Sequence, residues 1–266
     1  MTQGPDLHAA PLGIVGATGW LGQGLGLNLL RRGWPADRLV LLNRSGPQPA
    51  YDGFPVVWAR DMADLLALSG PVVLSTRPED FPLPGFVPGN RLLISFMAVH
   101  RIAHLAALAP EARIVRAMPN GAAPEGRSWT PWLGDVGGED AALVRHLLSA
   151  IGDEARVETE DQIDILTALS GSGPAYPALL AQALLAAAAE AGLPPHLARP
   201  AVAAVVNGAA AGLRVEEAET VLATMQGYRG ITAAGLDAAE TAGFGPAVTA
   251  AIRAAVAKAR ASGREQ

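Results

Sequence analysis

Three glycines near the start of the chain have a spacing that could bind phosphate. Gly16, Gly19 and Gly22 follow the apolar run Leu12–Val15 and open a leucine-rich segment. Glycine lets a backbone turn tightly and approach phosphate oxygens, and a helix that begins at such a turn offers free N–H groups to an anion. The spacing differs from the common G-x-G-x-x-G, but the order of strand, turn and helix is that of a dinucleotide site. We therefore predict that a pyrophosphate contacts the residues of this turn: Gly16, Ala17, Thr18, Gly19, Trp20 and Leu21.

The residues that follow the second apolar run, 38–42, indicate which dinucleotide this site prefers. In sites for NAD, an acidic residue here binds the ribose hydroxyls and would repel a 2′-phosphate. This chain instead has Asn43, Arg44 and Ser45. A guanidinium and a hydroxyl both donate hydrogen bonds to phosphate, so the segment favours NADP(H) over NAD(H). The alternative is that Arg44 is an ordinary surface arginine on a loop.

Alternating apolar and helical segments must position these residues. After the first two runs, short apolar runs recur at 56–59, 72–74, 92–94 and 112–116. Strands buried on both faces have this composition, and their alternation with helical segments predicts a parallel sheet covered by helices. We predict an α/β fold whose N-terminal domain, residues 1–156, is a Rossmann-type, doubly wound parallel sheet.

The composition of the chain changes near residue 157, where alanine and leucine begin to dominate. Glycine and proline separate helical runs at 162–170, 176–191, 198–211, 216–225 and 232–261. We therefore predict a C-terminal all-helical domain over residues 157–266. The small residues of 181–189 allow two helices to approach closely, either inside one monomer or between two. We predict a homo-oligomer, because helices without a sheet to cover would otherwise expose apolar surface.

Composition and charge exclude several classes of function. The net charge of −5, with 20 basic residues, gives no electrostatic footprint for nucleic acid. No apolar stretch reaches the roughly 18 residues of a membrane span, and the first residues lack a signal-peptide pattern. We therefore expect a cytoplasmic protein that does not bind membranes. The absence of cysteine excludes disulfides and thiolate sites. His100 and His104 could share a helix face, but no third ligand is evident, so we predict structural histidines and no metal.

Several segments, in the right order along the chain, resemble one family. The nine residues 168–176, A-L-S-G-S-G-P-A-Y, are similar to a signature of the pyrroline-5-carboxylate reductases. Residues 114–120 resemble that family's V-R-x-M-P-N segment, 72–78 its V-V-x-L-A-V-K-P segment, and 43–45 also match it. The resemblance implies a Rossmann domain and a dimer intertwined through the helical domain. It also implies NAD(P)H-dependent reduction of 1-pyrroline-5-carboxylate to L-proline, by hydride transfer to a cyclic imine.

The resemblance also implies further site residues. Additional cofactor contacts are expected from Ser75, Thr76, Arg77, Pro78, Met118, Pro119 and Asn120. The small-molecule substrate is expected to contact Ser170, Gly171, Ser172, Gly230, Ile231 and Thr232. The backbone amides of Gly230 to Ala233 would hold the carboxylate, and Thr232, as the N-cap of the following helix, would orient the imine nitrogen as the catalytic residue. For the serines, the alternative is that they only cap a helix break at 173–174.

Two segments depart from the family pattern. The family's G-x-G-N-M-A turn is replaced by residues 16–21, which place the bulky Trp20 near the cofactor. In the family's S-P-G-G-T-T loop, Tyr228, Arg229 and Ile231 replace the proline, the first glycine and the first threonine. Two alternatives therefore stay open. One is a diverged paralogue that reduces another small imine or carbonyl acid, with Arg229 as a carboxylate or phosphate clamp. The other is a paralogue that binds nucleotide without turnover.

Two further clusters are predicted to have no chemical role. Four carboxylates lie close together at the predicted domain junction: Glu158, Glu160, Asp161 and Asp164. We expect them to form a solvated face. Trp129 and Trp132 flank Pro131, and we expect these two aromatic side chains to anchor a loop.

Overall fold

The computed structural model describes residues 10–263, and the chain forms two compact units. The first contains the residues up to Gly173 and those from Val256 onward, and the second runs from Pro174 to Ala255. The sequence places the change of composition at 156–157, whereas residues 157–173 belong structurally to the first unit. Among residues 10–263, no helix combines the length and apolar character that a membrane span requires.

The first unit is built on one eight-stranded sheet. Its strands are β1 Leu12–Val15, β2 Leu39–Leu42, β3 Val57–Trp58, β4 Val72–Leu74, β5 Leu92–Ser95, β6 Arg113–Ala117, β7 Ser128–Leu133 and β8 Gly152–Arg156. Their order in the sheet is β3-β2-β1-β4-β5-β6-β7-β8, and every neighbouring pair is parallel except β6 and β7. An order that reverses between β1 and β4 is the doubly wound arrangement. The predicted fold class is therefore confirmed.

Strands β1, β2 and β4 form where they do because both of their faces are buried. Ile14 lies opposite Leu41 on one side and Val73 on the other, and all three side chains belong to the apolar core on one face of the sheet. Their neighbours along the strands, Val15 and Leu74 among them, belong to a second core on the opposite face. The alternation of side chains along a strand thus fills two layers at once.

Helices cover both faces of the sheet. They are α1 Trp20–Arg31, α2 Met62–Leu68, α3 Ile102–Leu108, α4 Gly138–Ser149 and α5 Glu160–Leu166, and α5 continues as a π-helical segment, Thr167–Gly171. Leu25 of α1 and Val144 of α4 are buried in the first core, whereas Leu65 of α2 and Leu105 of α3 are buried in the second. The C-terminus of α1 lies where the sequence predicts it, because Gly33 takes the left-handed conformation with φ 93°.

Two strands were not predicted. Pro131 lies inside β7, which pairs antiparallel with β6 and parallel with β8, and Trp132 of this strand is completely buried. The expectation that Trp129 and Trp132 anchor a loop was therefore wrong. Proline is disfavoured within a sheet because it has no N–H to donate, but the carbonyl oxygen of Pro131 accepts a hydrogen bond from the amide of Met118 at 2.9 Å.

The second unit is helical, and residues 174–255, all of which the structure describes, contain no strand. Its helices are α6 Ala175–Glu190, α7 Pro195–Ala203, α8 Ala218–Gly227, α9 Ile231–Thr241 and the first part of α10 Phe244–Ser262, and α7 continues as a π-helical segment, Ala204–Ala209. The single helix expected over 232–261 was wrong. Gly243, with φ 83°, separates α9 from α10, because a residue in this conformation cannot continue a right-handed helix.

Candidate functional site

The turn between β1 and α1 requires glycine at two of its three spaced positions. Gly16 has a φ of 78°, and a Cβ on this residue would lie 2.3 Å from the carbonyl oxygen of Ser75. A Cβ on Gly22 would lie 2.3 Å from the carbonyl oxygen of Gly16. The first glycine therefore lets the turn pass close to the end of β4, and the third lets α1 pack directly on the turn.

The first turn of α1 is open to an anion. Gly19 is the N-cap and has no side chain to satisfy the helix amides, and no acidic residue lies in the first turn. The amide of Gln23 is bonded to the carbonyl oxygen of Gly19 at 2.8 Å. Because helical bonding begins there, the amides of Trp20, Leu21 and Gly22 have no acceptor in the preceding turn of the helix. Free amides at the positive end of a helix dipole are a binding site for phosphate.

A cleft of about 640 Å³ lies at the carboxyl ends of β1, β2 and β4. Part of the set predicted to bind the cofactor lines this cleft: Gly16, Thr18, Gly19, Asn43, Arg44, Ser45, Ser75, Thr76 and Arg77. The rest of that set lies outside it: Ala17, Trp20, Leu21, Pro78, Met118, Pro119 and Asn120. The glycine turn and the end of β2 are thus brought to one cavity, as the doubly wound topology requires.

The end of β2 carries donors. Arg44 is exposed, and its Nη1 atom lies 3.6 Å from a carboxylate oxygen of Asp80. An exposed pair at this distance is weak and leaves the guanidinium available to a ligand. The side-chain amide of Asn43 donates to the hydroxyl of Ser45 at 2.6 Å. The amide, guanidinium and hydroxyl thus lie together at the end of β2, and Asp61 and Asp80 line the same cleft.

Arg60 lines this cleft as well as Arg44 and Arg77, and the sequence alone did not reveal it. Its Nε and Nη2 atoms donate to the two carboxylate oxygens of Asp64 at 3.1 and 3.0 Å, and these hydrogen bonds lower the pKa of Asp64 to about 2. Arg60 follows shortly after β3, and β3 lies beside β2 in the sheet. That topology is the signal that could have found it, because parallel neighbours end at the same edge of the sheet.

Asn120 connects the end of β6 to the signature segment. Its backbone amide donates to the hydroxyl of Ser128 at 3.0 Å, and its side-chain carbonyl accepts from the amide of Ala122 at 2.9 Å. Its side-chain amide donates to the carbonyl oxygen of Ser170 at 2.9 Å. Since each polar group of this side chain is engaged, Asn120 fixes the signature segment against the strand that precedes it.

The serines of the signature bond back into their own turn. The hydroxyl of Ser170 donates to the carbonyl oxygen of Leu166 at 3.0 Å, and the hydroxyl of Ser172 donates to the carbonyl oxygen of Thr167 at 3.3 Å. The carbonyl oxygen of Thr167 also accepts the backbone amide of Ser172 at 2.9 Å, so the two hydroxyl bonds reinforce the π-helical turn. A Cβ on Gly171 would lie 3.7 Å from a side-chain carbon of Met118. The segment therefore packs on the residue predicted to border the nicotinamide.

Two of the four clustered carboxylates, Glu158 and Asp161, are exposed as expected, whereas Glu160 and Asp164 are not part of a solvated face. Asp164 is completely buried and ion-paired with Arg116, which is also buried, at 3.4 Å, and with Arg101. Glu160 also pairs with Arg116 and accepts a hydrogen bond from the backbone amide of Ile102 at 2.8 Å. A buried carboxylate persists only where it is paired. This part of the prediction was wrong because the basic partners come from β6 and from the start of α3.

The two histidines stack on each other. The ring centroids of His100 and His104 lie 4.7 Å apart, and Nε2 of His100 lies 3.1 Å from the carbonyl oxygen of Pro78. Burial lowers the pKa of His100, so the ring is neutral at pH 7. Within residues 10–263, no group of three or more residues of the types that bind metals is assembled.

The start of α9 differs from the expectation at one residue. Gly230 is the N-cap and Thr232 is the second residue of the helix, so the N-cap role expected for Thr232 was wrong. An extended glycine can begin a helix without a capping side chain. The amides of Ile231, Thr232 and Ala233 precede the first helical bond, which runs from Ala234 to Gly230 at 3.2 Å. These three amides therefore have no acceptor in a preceding turn of the helix.

Comparison with known proteins identifies the family. A family model described as pyrroline-5-carboxylate reductase dimerisation matches residues 160–262. A pyrroline-5-carboxylate reductase of Pisum sativum is 30% identical over 263 residues, which cover 94% of this chain and 94% of the relative. The chain belongs to the pyrroline-5-carboxylate reductase family. The resemblance that the signature segment indicated is confirmed.

Other members of the reductase family agree in sequence and in fold. A relative from Mycobacterium tuberculosis is 31% identical over 280 residues, covering 92% of this chain and 94% of the relative. The solved structure of a 1-pyrroline-5-carboxylate reductase from Streptococcus pyogenes superposes with a TM-score of 0.82 at 26% identity, covering 96% of this chain and 99% of that chain. The match therefore extends through both units.

The two departures from the reductase pattern have structural consequences. Trp20, in the altered turn, is largely exposed, and its indole N–H donates to the carbonyl oxygen of Gly121 at 2.9 Å. Arg229, in the altered loop, has a φ of 52° and is the single residue other than glycine with positive φ between residues 10 and 263. Both residues lie beside a helix start with free amides.

Proposed function

We propose that this protein reduces 1-pyrroline-5-carboxylate to L-proline, with NADPH as the preferred cofactor. The observation that carries the proposal is the match to pyrroline-5-carboxylate reductases over 94% of the chain. In this reaction the C=N carbon of a cyclic imine receives a hydride and the nitrogen receives a proton. The cytoplasm is the expected compartment.

The residues of the first unit fit a nicotinamide dinucleotide. The free amides at Trp20 and Leu21 would bind the pyrophosphate, and Arg44 and Ser45 would bind a 2′-phosphate. Arg77 lines the same cleft and adds positive charge. When bound, the reduced nicotinamide supplies the hydride. The absence of a carboxylate directly after β2 favours NADPH over NADH.

Residues predicted to contact the substrate occur in each of the two units. In the second unit, the amides of Ile231, Thr232 and Ala233 would hold the carboxylate, and the hydroxyl of Thr232 would orient the imine nitrogen. In the first unit, Ser170 and its neighbours Gly171 and Ser172 are proposed to contact the substrate. Hydride transfer to an imine requires orientation and exclusion of water more than a set of acid–base side chains. The residues proposed above would orient the substrate and help to exclude water.

The second unit supports assembly into a homodimer. None of the 16 residues of α6 is buried within the chain, although most of them are alanine or leucine. Leu179 and Val215 are exposed to 64% and 79%. Exposed apolar surface on this scale marks an interface with a partner. We expect sedimentation at micromolar concentration to give a dimer or a larger assembly, and a monomer would contradict this interpretation.

A second candidate function is nucleotide binding without turnover, or reduction of a different imine or carbonyl acid. It is favoured by one observation, the replacement of family residues by Tyr228, Arg229 and Ile231 at the start of α9. Ile231 is 96% exposed within the chain, so the loop presents a large apolar side chain where the family has threonine. Such a change alters what lies beside the free amides of α9.

The deciding experiment combines turnover and binding. Purified protein is mixed with 1-pyrroline-5-carboxylate and either NADPH or NADH, while loss of the reduced cofactor and formation of proline are measured. We expect proline to form, faster with NADPH. A panel of other cyclic imines and carbonyl acids serves as the comparison. Cofactor binding by calorimetry without turnover of any panel member would instead support the second candidate.

A further inference from the structure

Trp20 is held in an exposed position by a specific bond. The residue is 69% exposed, yet its indole N–H donates to the carbonyl oxygen of Gly121, 101 residues away in sequence. An indole that merely lay on the surface would gain more by packing its apolar ring against neighbouring side chains. The hydrogen bond instead keeps the ring at the start of α1 with most of its area in contact with water.

The bond places the ring on one particular side of the phosphate turn. Trp20 follows β1, Gly121 follows β6, and β4 and β5 lie between these strands in the sheet. Three strand spacings amount to roughly 14 Å. The loop after β6 reaches back to α1, where the side chain of Asn28 donates to the carbonyl oxygens of Ala123 and Pro124, each at 3.1 Å. The indole therefore lies on the side of α1 that faces β6, away from β2.

The two sides of the turn serve different halves of a dinucleotide. A doubly wound sheet consists of two mononucleotide-binding halves, and the ligand crosses between them where the strand order reverses. Here that point lies between β1 and β4. The half that carries a 2′-phosphate is expected over β2, beside Arg44. The nicotinamide half is consequently expected over β4, β5 and β6, which is the side to which Gly121 ties Trp20.

The acceptor of the indole bond is itself fixed. Gly121 follows Asn120, which is bonded through its amide to Ser128 and through its side chain to Ser170. The ring thus rests on a framework that connects the phosphate turn, the end of β6 and the signature segment. A planar ring held in one orientation, with its face exposed, is suited to pack against another planar ring.

We infer that the Trp20 indole contacts the nicotinamide half of the bound dinucleotide, positioned for that contact by Gly121. The inference rests on the proposed function for the identity of the cofactor. The competing explanation is that Trp20 is a structural clasp between α1 and the loop after β6. A clasp would shape the phosphate turn and would affect every ligand of that turn equally.

The test compares two ligands. NADPH contains both halves, whereas 2′,5′-ADP contains the adenosine, the 2′-phosphate and one phosphate of the turn but no nicotinamide. Affinities are measured by calorimetry for the wild type, Trp20→Ala and Trp20→Phe. We expect Trp20→Ala to bind NADPH about tenfold more weakly, the scale of one aromatic contact, and to bind 2′,5′-ADP as the wild type does. Trp20→Phe keeps a ring without the donor, so its NADPH affinity should fall between the two.

A spectroscopic measurement accompanies the affinities. The emission of bound NADPH reports the surroundings of its nicotinamide ring, so we expect a changed spectrum in Trp20→Ala at saturating cofactor. Trp129→Phe is the matched control, because Trp129 is 38% exposed on β7 and should change neither affinity nor emission. Thermal unfolding of each variant confirms that the fold is retained.

The possible results separate the inference from the proposed function. An equal loss for NADPH and 2′,5′-ADP in Trp20→Ala would overturn the contact and establish the clasp, and unchanged affinities for both would overturn it as well. None of these measurements needs turnover. A wild type that binds NADPH but forms no proline would contradict the proposed function, while the Trp20 comparison would still be decided by binding.

Discussion

The starts of α1 and α9 use the same backbone device with different residues around it. In both, an extended glycine is the N-cap, no side chain caps the first amides, and the first turn lacks acidic residues. Close to α1 the residue in the left-handed conformation is Gly16, with φ 78°. Directly before the N-cap of α9 it is Arg229, with φ 52°. Glycine suits the left-handed conformation near the start of α1, whereas the arginine before α9 does not suit it.

The packing around the two helix starts also differs. A Cβ on Gly16 or Gly22 would collide with backbone atoms, so packing dictates the shape of the first turn. Around Gly230 a Cβ would meet nothing within 4 Å. The backbone at the start of α1 is therefore specified by steric constraint, whereas that at the start of α9 is constrained little by its own chain. A loop with few constraints is where substitutions accumulate and where substrate preference can change.

The largest effect is expected at the constrained turn. Gly16→Ala adds a Cβ 2.3 Å from the Ser75 carbonyl oxygen at a residue whose φ already disfavours a side chain. We expect the free energy of unfolding to fall by about 3 kcal/mol or more, and NADPH binding to be lost. Chemical denaturation and calorimetry measure the two effects.

Gly33→Ala is the matched control for this change. Gly33 also has positive φ, 93°, but a Cβ there would meet nothing within 4 Å. It should lose only the conformational contribution, about 1 kcal/mol, with NADPH affinity unchanged. Equal losses in the two variants would show that steric packing does not distinguish the first turn.

The next effect concerns which dinucleotide the constrained site prefers. Arg44→Ala should weaken NADPH by about 1.5–3 kcal/mol, the scale of a charge-assisted hydrogen bond to phosphate, and should leave NADH nearly unchanged. Titration of both cofactors measures the difference. Arg60→Ala is measured alongside Arg44→Ala, because Arg60 is another cation that lines the same cleft. Equal losses of NADPH and NADH in Arg44→Ala would show that Arg44 does not read the 2′-phosphate.

The constrained region is also the one that the sequence predicts well. The strands β1 to β6, the glycine turn and the donors after β2 follow from apolar runs and local spacing. These features are local, since each depends on residues that are neighbours in sequence. By contrast, β8 has the polar sequence G-D-E-A-R and lies at the edge of the sheet, so its composition does not suggest a strand. Its pairing with β7 could be known only from the fold.

Buried polar groups were the other features that local sequence could not predict. Glu160 and Asp164 have the composition of a solvated helix face, and only the approach of Arg101 and Arg116 makes their burial favourable. Local sequence could not place Arg60 on the cleft for a related reason, since its closeness to Arg44 depends on the pairing of β2 with β3. Thr232 was expected to be an N-cap because threonine favours that position, but the N-cap is the extended Gly230, two residues earlier.

A smaller effect is expected at the start of α9. Because Thr232 is exposed and does not cap the helix, Thr232→Ala should change the free energy of unfolding by less than about 0.5 kcal/mol. If its hydroxyl orients the imine nitrogen, kcat/KM should fall by about tenfold or more. NADPH affinity should stay unchanged, and Thr232→Ser should recover most of the activity. Full activity in Thr232→Ala would remove this residue from the site.

The smallest effect tests the residue that most distinguishes the two helix starts. An arginine in the left-handed conformation costs about 1 kcal/mol, which glycine avoids, although glycine also loses more conformational freedom on folding. Arg229→Gly should therefore raise the free energy of unfolding by about 0.5 kcal/mol. Arg229→Ala keeps the backbone strain and removes the charge, so it should give no such gain.

Because Arg229 is exposed and the α9 amides alone can hold a carboxylate, we expect the same KM for 1-pyrroline-5-carboxylate in both variants as in the wild type. A higher KM in both would mean that the guanidinium binds the substrate and that the strain is retained for function. A higher KM in Arg229→Gly alone would mean that the loop shape matters, and the start of α9 would then be as constrained as the start of α1.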